Sequence, residues 1–314
     1  MTIERKPIVV VGSINMDLVA SAEHIPSIGE TITGTGFQFH FGGKGANQAV
    51  AVAKLGYPVR MIGKVGNDPF GAQLCSQLEK SKVDTSGVAV SPGSSGIALI
   101  VVSDRGENTI VVIPGANAAV TPEFLEQKRD IICSAGLVLT QLEIPLETVE
   151  YLATICEREK IPLMLDPAPA RSLSRSLLES IAWFTPNETE AAFFAGADAG
   201  VDTSSTPDFI AERLHEKGVK GMVLKLGARG AFVVTDAKDQ QMLKSAPVSA
   251  IDTTAAGDAF NGAFATGLLL WNEPIKSARF AIGAAAVSVT RSGAQASMAS
   301  MDEVKELLGE TLTL

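Results

Sequence analysis

Short apolar runs alternate with helical stretches along this chain, and this alternation constrains the fold more than any other feature. From Thr121 onward, a capped helix is followed by a strand at 137–142, a helix at about 146–159 and a strand at 163–166. A continuous β-branched run at 7–12 predicts a strand buried on both faces. Strands that alternate with helices form a parallel, doubly wound sheet. We therefore predict an α/β fold in which helices flank a mostly parallel sheet.

Two stretches interrupt this alternation and predict a small β-sheet of their own. Residues 18–41 carry prolines and glycines between segments of alternating polarity, among them 31–33 and 37–41. Such segments are typical of short antiparallel strands. The segments 97–103 and 108–113 flank a polar turn, which predicts a hairpin.

An α/β unit separates these two stretches, so we expect them to form one discontinuous lid, from about 15–41 and 96–113, over the carboxyl ends of the main strands. The whole chain, 1–314, would be one domain with this lid inserted in its core. One face of the lid is apolar enough to pair with a copy of itself, which predicts a homodimer through the lid sheet.

A polar turn at 252–260, Asp-Thr-Thr-Ala-Ala-Gly-Asp-Ala-Phe, opens an apolar helical segment near the end of the chain. Backbone N–H groups at a helix beginning are unpaired and aligned with the positive end of the helix dipole, so they can hold an anion. Asp258 at the same place could take a proton from a nucleophile while the amides hold the developing charge, as in phosphoryl transfer to an alcohol. The alternative is that Asp and Thr here are ordinary helix caps.

A second glycine-rich stretch, Gly-Gly-Lys-Gly-Ala-Asn at 42–47, opens a helix of small residues. It matches neither the P-loop, since no Ser or Thr follows the lysine, nor the GxGxxG dinucleotide fingerprint. Gly42 and Gly43 permit close approach to a ligand. Asn47 can donate to hydroxyl groups and accept from them. Close packing of the helix would also explain the glycines.

Polar side chains follow several predicted strands. Asn15 and Asp17 follow the first strand and Glu143 follows a later one, at the sheet edge where α/β proteins bind ligands. An Asx turn would also account for the first pair. Asn187 and Glu190 lie one turn apart at a helix beginning and could order water around magnesium, although a capping box has the same spacing.

Composition excludes several classes of function. A net charge of −9 and a pI near 5.0, with dispersed Lys and Arg, argue against a nucleic-acid partner. The sequence lacks the roughly 18-residue apolar run of a membrane span, and its start is too short and wrongly flanked for a signal peptide. Three distant cysteines without a CxxC pair indicate a reduced, cytoplasmic protein. Three histidines without metal-ligand spacing argue against zinc.

The three motifs GGKGAN (42–47), NETE (187–190) and DTTAAGDAF (252–260), in this order and at these distances, resemble the ribokinase family of carbohydrate kinases, the group that includes phosphofructokinase B. The resemblance extends from Gly12 to Ser297. It implies ATP-dependent phosphorylation of D-ribose at O5 by direct in-line transfer, with ATP, Mg²⁺ and K⁺ required. A bound K⁺ would act by fixing the conformation of the 252–257 turn.

The resemblance also implies a role for particular residues. Asp258 would be the base, and the anion hole would be formed by the amides of Ala255, Ala256 and Gly257. The sugar would contact Asn15, Asp17, Gly42, Gly43, Lys44, Asn47 and Glu143. The nucleotide would contact Asn187, Glu190, Lys225, Gly227, Arg229, Gly230, Gly257 and Ile282, with Glu190 binding magnesium through water. The monovalent cation would be held, largely through backbone oxygens, by Asp252, Thr254, Ser288, Arg291, Gly293 and Ser297.

Two residues depart from the family pattern. Ala255 stands where many members have glycine, which matters if its φ is positive. Ile282 stands where some members have a polar residue near the adenine, so base contacts would be apolar or weaker.

Three other functions are compatible with parts of the sequence. The protein could phosphorylate another sugar or nucleoside, such as fructose, 2-keto-3-deoxygluconate, adenosine or pseudouridine, since lid side chains decide the substrate. An oxidoreductase is disfavoured by the missing GxGxxG. The intact turn before Asp258 disfavours a non-catalytic sugar-binding module.

The glycine turn at 227–230 could pass beneath a nucleotide and is equally consistent with a plain hairpin turn.

Overall fold

The structure, a computed structural model, describes residues 5–196, 201–236 and 239–309. The strands of these residues are β1 (Ile8–Val11), β2 (Asn15–Ala22), β3 (Gly36–Gly42), β4 (Val59–Gly66), β5 (Asp84–Ser91), β6 (Gly96–Ser103), β7 (Asn108–Ile113), β8 (Leu137–Thr140), β9 (Leu163–Leu165), β10 (Trp183–Phe184), β11 (Gly221–Lys225), β12 (Ala231–Asp236) and β13 (Asp239–Leu243). The helices are α1 (Lys44–Lys54), α2 (Pro69–Lys80), α3 (Pro122–Gln127), α4 (Arg129–Cys133), α5 (Leu146–Glu159), α6 (Arg175–Ser180), α7 (Glu188–Gly196), α8 (Pro207–Glu216), α9 (Ala256–Trp271), α10 (Pro274–Ser288) and α11 (Met301–Leu308).

The main sheet has nine strands in the order β13-β12-β11-β10-β9-β8-β1-β4-β5. All neighbours from β11 to β5 pair in parallel, and only β12 and β13 run antiparallel to their neighbours. The strand order reverses direction at β1, from which later units are added on both sides. Such a reversal opens a crevice at the carboxyl ends of the strands, where ligands bind.

Both faces of this sheet are covered, as the continuous apolar runs predict. Ile8 and Val10 of β1 belong to a core formed with α1, α9, α10 and α11, whereas Val9 and Val11 belong to the opposite core with α3, α5, α7 and α8. Because successive side chains of a strand point to opposite faces, an all-apolar strand needs helices on both sides. No helix in the described part of the chain is long and apolar enough to cross a membrane.

A separate four-stranded sheet, which we call the lid sheet, has the order β3-β2-β6-β7. The β6–β7 hairpin and the antiparallel β2–β3 pair agree with the sequence pattern. The two inserted stretches are joined by parallel pairing of β2 with β6, which the local pattern does not show. The expected strand at 31–33 is wrong, because those residues pair with no neighbouring strand and are mostly exposed.

The helix starts follow from local chemistry. Asp68 caps α2 by accepting a hydrogen bond from the Gly71 N–H at 2.9 Å, and Thr121 caps α3 in the same way through the Phe124 N–H at 3.3 Å. Proline occupies the first turn of both helices, where its missing N–H costs nothing. The predicted strand at 137–142 ends earlier, at Thr140, because the chain then turns toward the crevice.

Candidate active site

Two adjoining cavities lie at the carboxyl ends of the central strands. The first, of about 400 Å³, is polar and is lined by residues that include Lys44, Asp166, Asn187, Glu190, Lys225 and Asp258. The second, of about 530 Å³, is mostly apolar and extends beside α10. Both are lined by Lys225, Gly227, Thr253, Ala256 and Gly257. The beginning of α9 therefore lies where the two cavities meet.

The turn before α9 has an unusual backbone. Ala255 is left-handed, with φ 58° and ψ 15°, a conformation that costs a non-glycine residue about 1 kcal/mol. The Ala256 N–H donates to the Thr253 carbonyl at 3.2 Å. The Lys225 ammonium lies 3.5 Å from the position that a Cβ atom at Gly257 would occupy. A positive charge therefore lies next to this turn. Because alanine replaces glycine at position 255, its left-handed backbone is strained.

Asp258 lies in the first turn of α9 and is 5% exposed. Its carboxylate accepts hydrogen bonds from Asn47 Nδ2 at 3.0 Å and from Gln48 Nε2 at 2.9 Å. Burial raises the pKa of Asp258 to about 6, while the nearby Lys44 charge opposes that rise. A carboxylate with a pKa closer to neutrality is a stronger base at physiological pH than an ordinary aspartate, which suits it to accept a proton.

Two further carboxylates lie on the lid side of Asp258. Burial, and then the charges of Glu143 and Asp258, raises the pKa of Asp17 to about 7. Glu143 accepts hydrogen bonds from the Ser13 hydroxyl and from the Lys44 N–H at 3.1 Å. These bonds tie the segment after β8 to the start of α1. The result is a polar recess lined with acceptors, suited to a ligand that carries several hydroxyl groups.

Glycine is required where the glycine-rich stretch passes this recess. A Cβ atom at Gly42 would lie 2.1 Å from Asp17 Oδ2. Gly43 has φ 87°, and a Cβ atom there would lie 2.7 Å from the Asn15 backbone nitrogen. The glycines therefore allow β2 and the start of α1 to approach closely enough to share one recess.

Lys44 balances the acidic groups of the site. Burial alone would lower the pKa of Lys44, but the carboxylates of Asp258, Asp166, Glu143 and Glu190 raise it. The ammonium therefore stays charged. A partly buried cation among carboxylates, on the wall of the polar cavity, offers a contact for an incoming phosphate group.

Asn187 and Glu190 form a reciprocal capping pair at the start of α7. The Asn187 N–H donates to Glu190 at 2.8 Å, the Asn187 amide donates to the other Glu190 oxygen at 2.9 Å, and the Glu190 N–H donates to Asn187 Oδ1 at 2.8 Å. These hydrogen bonds confirm the alternative that the two residues cap the helix. Burial raises the pKa of Glu190 even though Lys225 opposes it, so its charge is incompletely balanced in the polar cavity.

Of the remaining nucleotide candidates, all but Arg229 line one or both cavities: Lys225, Gly227, Gly230, Gly257 and Ile282. Lys225 pairs with Asp166 at 2.9 Å. Arg229 is exposed and pairs with Glu188. Gly227 and Gly230 have positive φ, 55° and 101°. They lie in the turn between the antiparallel strands β11 and β12, so this turn also forms the hairpin that the sequence allowed. Ile282 is buried and lines the apolar cavity beside Phe260.

Five of the six candidate cation residues lie on the loops before α9 and after α10, which Asp252 joins, and Ser288 is the last residue of α10. Its carboxylate accepts from the Thr254 N–H and from the Gly293 N–H, both at 2.8 Å. The Arg291 guanidinium donates to the Ser297 carbonyl at 3.1 Å. The Ser288 and Ser297 hydroxyls donate to carbonyls of their own segments. Asp252 is the one carboxylate among these six residues, so a cation here would be held by Asp252 and largely by backbone oxygens.

Sequence reasoning assigned no role to three supporting residues. Asn117 is buried; it accepts from the Ile14 N–H at 2.9 Å and donates to Asn15 Oδ1 at 2.7 Å, which leaves the Asn15 amide nitrogen to face the recess. Gln48 and Asp166 hold Asp258 and Lys225. Asp166 follows a strand, which is a usable signal. For Asn117 no local signal exists, because its partners are about a hundred residues away in sequence.

Comparison with known proteins identifies the family. A model described as pfkB family carbohydrate kinase matches residues 5–301. The chain belongs to this family. The ribokinase of Haemophilus influenzae is 41% identical over 305 residues, 97% of this chain and 99% of that protein. The deoxyribokinase of Salmonella typhi is 36% identical over 304 residues, 96% of this chain and 98% of that protein.

A solved structure agrees with the sequence relatives. Arabidopsis thaliana ribokinase, complexed with ribose and ATP, superposes with a TM-score of 0.89 at 33% identity, covering 97% of this chain and 99% of that one. The predicted family, the α/β fold with its lid sheet and the prediction of a carbohydrate kinase are confirmed.

Proposed function

We propose that this carbohydrate kinase transfers the γ-phosphoryl group of ATP to O5 of D-ribose and releases ribose 5-phosphate and ADP. One observation carries the proposal. A buried carboxylate, Asp258, lies at the helix beginning where the two cavities meet, and the carboxylates of Asp17 and Glu143 lie close enough for their charges to interact. The relatives named ribokinase, and the ribose and ATP of the related complex, support this substrate pair.

The reaction assigns each group a task. Asp258 takes the O5 proton while O5 bonds to the γ-phosphorus and the bond from phosphorus to the bridging oxygen of ADP breaks. In this proposal the amides of Ala255, Ala256 and Gly257 bind the charge that develops on the transferred group, and the Ala256 N–H gives up its bond to the Thr253 carbonyl to do so. Lys225 lies beside Gly257. Asn15, Asp17, Gly42, Gly43, Lys44, Asn47 and Glu143 hold the sugar. Since no enzyme nucleophile takes part, positioning and electrostatic stabilisation supply the acceleration.

We assign the nucleotide to the remaining candidates. We place the triphosphate against Asn187, Glu190, Lys225, Gly227 and Gly257. We place the rest of the nucleotide near Arg229, Gly230 and Ile282. The base enters the apolar cavity, where Ile282 and Phe260 offer contact area. Apolar contact orients a base without selecting strongly among isosteric bases.

A magnesium ion fits the polar cavity. Within the described ranges, no three His, Cys, Asp or Glu side chains are grouped closely enough to hold a metal by themselves. Glu190, with its incompletely balanced charge, faces the same cavity as Asp166. Magnesium keeps much of its hydration and binds through few carboxylates, so Glu190 would hold it through water. The ion would supply charge neutralisation between the phosphates.

A potassium ion fits the loops that Asp252 joins. The Asp252 carboxylate, with backbone oxygens of Thr254, Ser288, Arg291, Gly293 and Ser297, would hold it. The loop of Asp252 and Thr254 continues into the turn before α9, which contains the strained Ala255. A bound cation would therefore act on the conformation of the anion hole.

A sugar panel with a coupled ADP assay tests the substrate. We expect the highest kcat/KM with D-ribose, and a loss of at least about tenfold with 2-deoxyribose if its missing hydroxyl bonds a charged group of the recess. Fructose, 2-keto-3-deoxygluconate, adenosine and pseudouridine complete the panel. A higher kcat/KM for any of these would refute ribose as the substrate and leave the kinase assignment intact.

Replacement of Asp258 tests the base. Asp258→Asn should fold normally and lose on the order of 100-fold or more in turnover. Asp130→Asn is the matched control, because Asp130 also lies in the first turn of a helix but is exposed. Near wild-type turnover in Asp258→Asn would show that another group accepts the proton.

We also propose a homodimer through the lid sheet. Phe39, Leu18, Leu99 and Val111 are in register across its four strands and therefore share one face. Three of these side chains, Phe39, Leu99 and Val111, are 44 to 58% exposed. Light scattering should give twice the mass of one chain, and Leu99→Asp should reduce the measured mass to that of one chain. A monomeric wild type would refute the dimer.

A cytoplasmic location is consistent with the free cysteines and ATP as substrate.

A further inference from the structure

Gln48 joins the two sides of the site. This side chain lies in α1 and is fully buried. Its amide nitrogen donates to Asp258 Oδ1 and to Asp166 Oδ2, both at 2.9 Å. A primary amide nitrogen carries two hydrogens. Both are therefore donated to carboxylates, one on the proposed base and one on the partner of Lys225.

Gln141 determines the orientation of that amide. Its own amide nitrogen donates to Gln48 Oε1, and it is fully buried just after β8. If the Gln48 amide turned over, its oxygen would face two carboxylates and its nitrogen would face another donor. The chain of bonds Gln141–Gln48–Asp258 has therefore only one satisfactory arrangement.

The second branch of the network leads to the phosphate side. Asp166 Oδ1 accepts from the Lys225 ammonium at 2.9 Å, and Lys225 lines both cavities. Gln48 thus links Asp258, which would receive the alcohol proton, through Asp166 to Lys225, which lies beside the anion-hole turn. Neither Gln48 nor Gln141 lines either cavity, so they act only through other residues.

We propose that Gln48, oriented by Gln141, is a positioning residue that holds the Asp258 carboxylate and the Asp166–Lys225 pair in one fixed geometry. The proposal rests on the kinase reaction proposed above. Asp258 can receive the proton only if its carboxylate faces the alcohol, and a misplacement of about 1 Å can cost on the order of 100-fold in rate. The donated hydrogen bond also favours the ionised form of Asp258, which is the form a base needs.

Three variants separate positioning from ordinary structural support. Gln48→Met keeps the volume of the side chain but removes its donors. Gln141→Met removes the donor that holds Gln48 Oε1 and leaves the two bonds from Gln48 to the carboxylates in place. Thr148→Val is the control, because Thr148 is fully buried and donates a hydrogen bond to the Val120 carbonyl at 2.7 Å, on α5 and away from the site.

We expect Gln48→Met to lower kcat by about 10- to 100-fold, with KM for sugar and ATP changed less than threefold. The acidic limb of its kcat profile should move to higher pH, because a donor to ionised Asp258 is lost. Gln141→Met should show smaller changes of the same sign. The double variant should be no worse than Gln48→Met alone, since both changes break one chain of bonds. Thr148→Val should lower the melting temperature and leave kcat and the pH profile unchanged.

Full additivity of the two Met variants, or an unshifted acidic limb with kcat within threefold of wild type, would overturn the positioning role. If Gln48→Met does not fold, Gln141→Met decides alone through its kcat and pH profile. The sugar used is the best substrate of the panel. A wild type that phosphorylates no sugar would refute the proposed function instead, so the two failures are distinguishable.

Discussion

Replacing Asp258 by asparagine should make the folded protein more stable at pH 8 while it inactivates the enzyme. Burial raises the pKa of this carboxyl to about 6 from an ordinary value of 3.8. The ionised group therefore destabilises the folded state, and the pKa difference corresponds to roughly 3 kcal/mol. Asparagine carries no charge, so Asp258→Asn should recover up to this amount.

Hydrogen bonding does not cancel the gain. Gln48 can still donate to the Oδ1 of an asparagine at this position. The new amide nitrogen would face Asn47 Nδ2, but Asn47 Oδ1 has no hydrogen-bond partner within the described parts of the chain. The Asn47 amide can therefore turn over and accept from the new donor.

The effect should depend on pH with a definite sign. Because the folded-state pKa lies above the unfolded value, the cost of the charge is complete above about pH 6 and disappears as the pH falls toward about 4. At pH 8 the variant should unfold at roughly 5 °C higher temperature than wild type. At pH 5 about half of the free-energy difference should remain.

Urea denaturation of both proteins at pH 8 and pH 5 measures this difference, and Asp130→Asn is the control for loss of an exposed carboxylate. An Asp258→Asn protein that is no more stable than wild type at pH 8 would refute the reasoning about burial. So would a stability difference that stays the same at both pH values.

Three further predictions concern the same region. Ala255→Gly should leave the free energy of unfolding unchanged or raise it by up to about 1 kcal/mol, because it relieves the left-handed backbone. Ala72→Gly, on the exposed face of α2, is the control and should lower the free energy of unfolding by about 0.5 to 1 kcal/mol. Equal losses for the two variants in urea denaturation would contradict this prediction. In a pH series, kcat/KM should fall below about pH 7, because Asp17 and Asp258 titrate at about 7 and about 6 and the base must be ionised; a flat profile down to pH 5 would exclude Asp258. Sodium or tetramethylammonium in place of potassium should lower turnover several-fold, a response that Asp252→Ala should abolish, and equal rates with all three cations would remove the cation site.

Much of the fold was predictable because it rests on local periodicity. The apolar run at 7–12 and the later alternation of strands with helices require a sheet covered on both faces. The capping signal at Thr121 marked a helix start correctly. The segment at 31–33 shows the limit of such signals, since an alternating pattern forms a strand only where another strand pairs with it. The parallel pairing of β2 with β6 joins segments about eighty residues apart and has no local signature.

The candidate site divides in the same way. Asp258, Asn47 and Glu143 could be selected from the sequence, because helix beginnings and the carboxyl ends of parallel strands are positions where such groups converge. The spacing of Asn187 and Glu190 indicated a capping pair, but the sequence could not show that burial raises the pKa of Glu190. Nor could it show the left-handed backbone of Ala255.

The amino-acid sequence by itself indicated many of the chemical groups that reach the ligand crevice, since residue types next to strand ends and helix beginnings mark them. Only the tertiary structure decided their charge and direction. The partners of Gln48 are 210 and 118 residues away in sequence, and the pKa values of Asp17 and Asp258 depend first on burial. Desolvation and long-range hydrogen bonds exist only after the chain has packed.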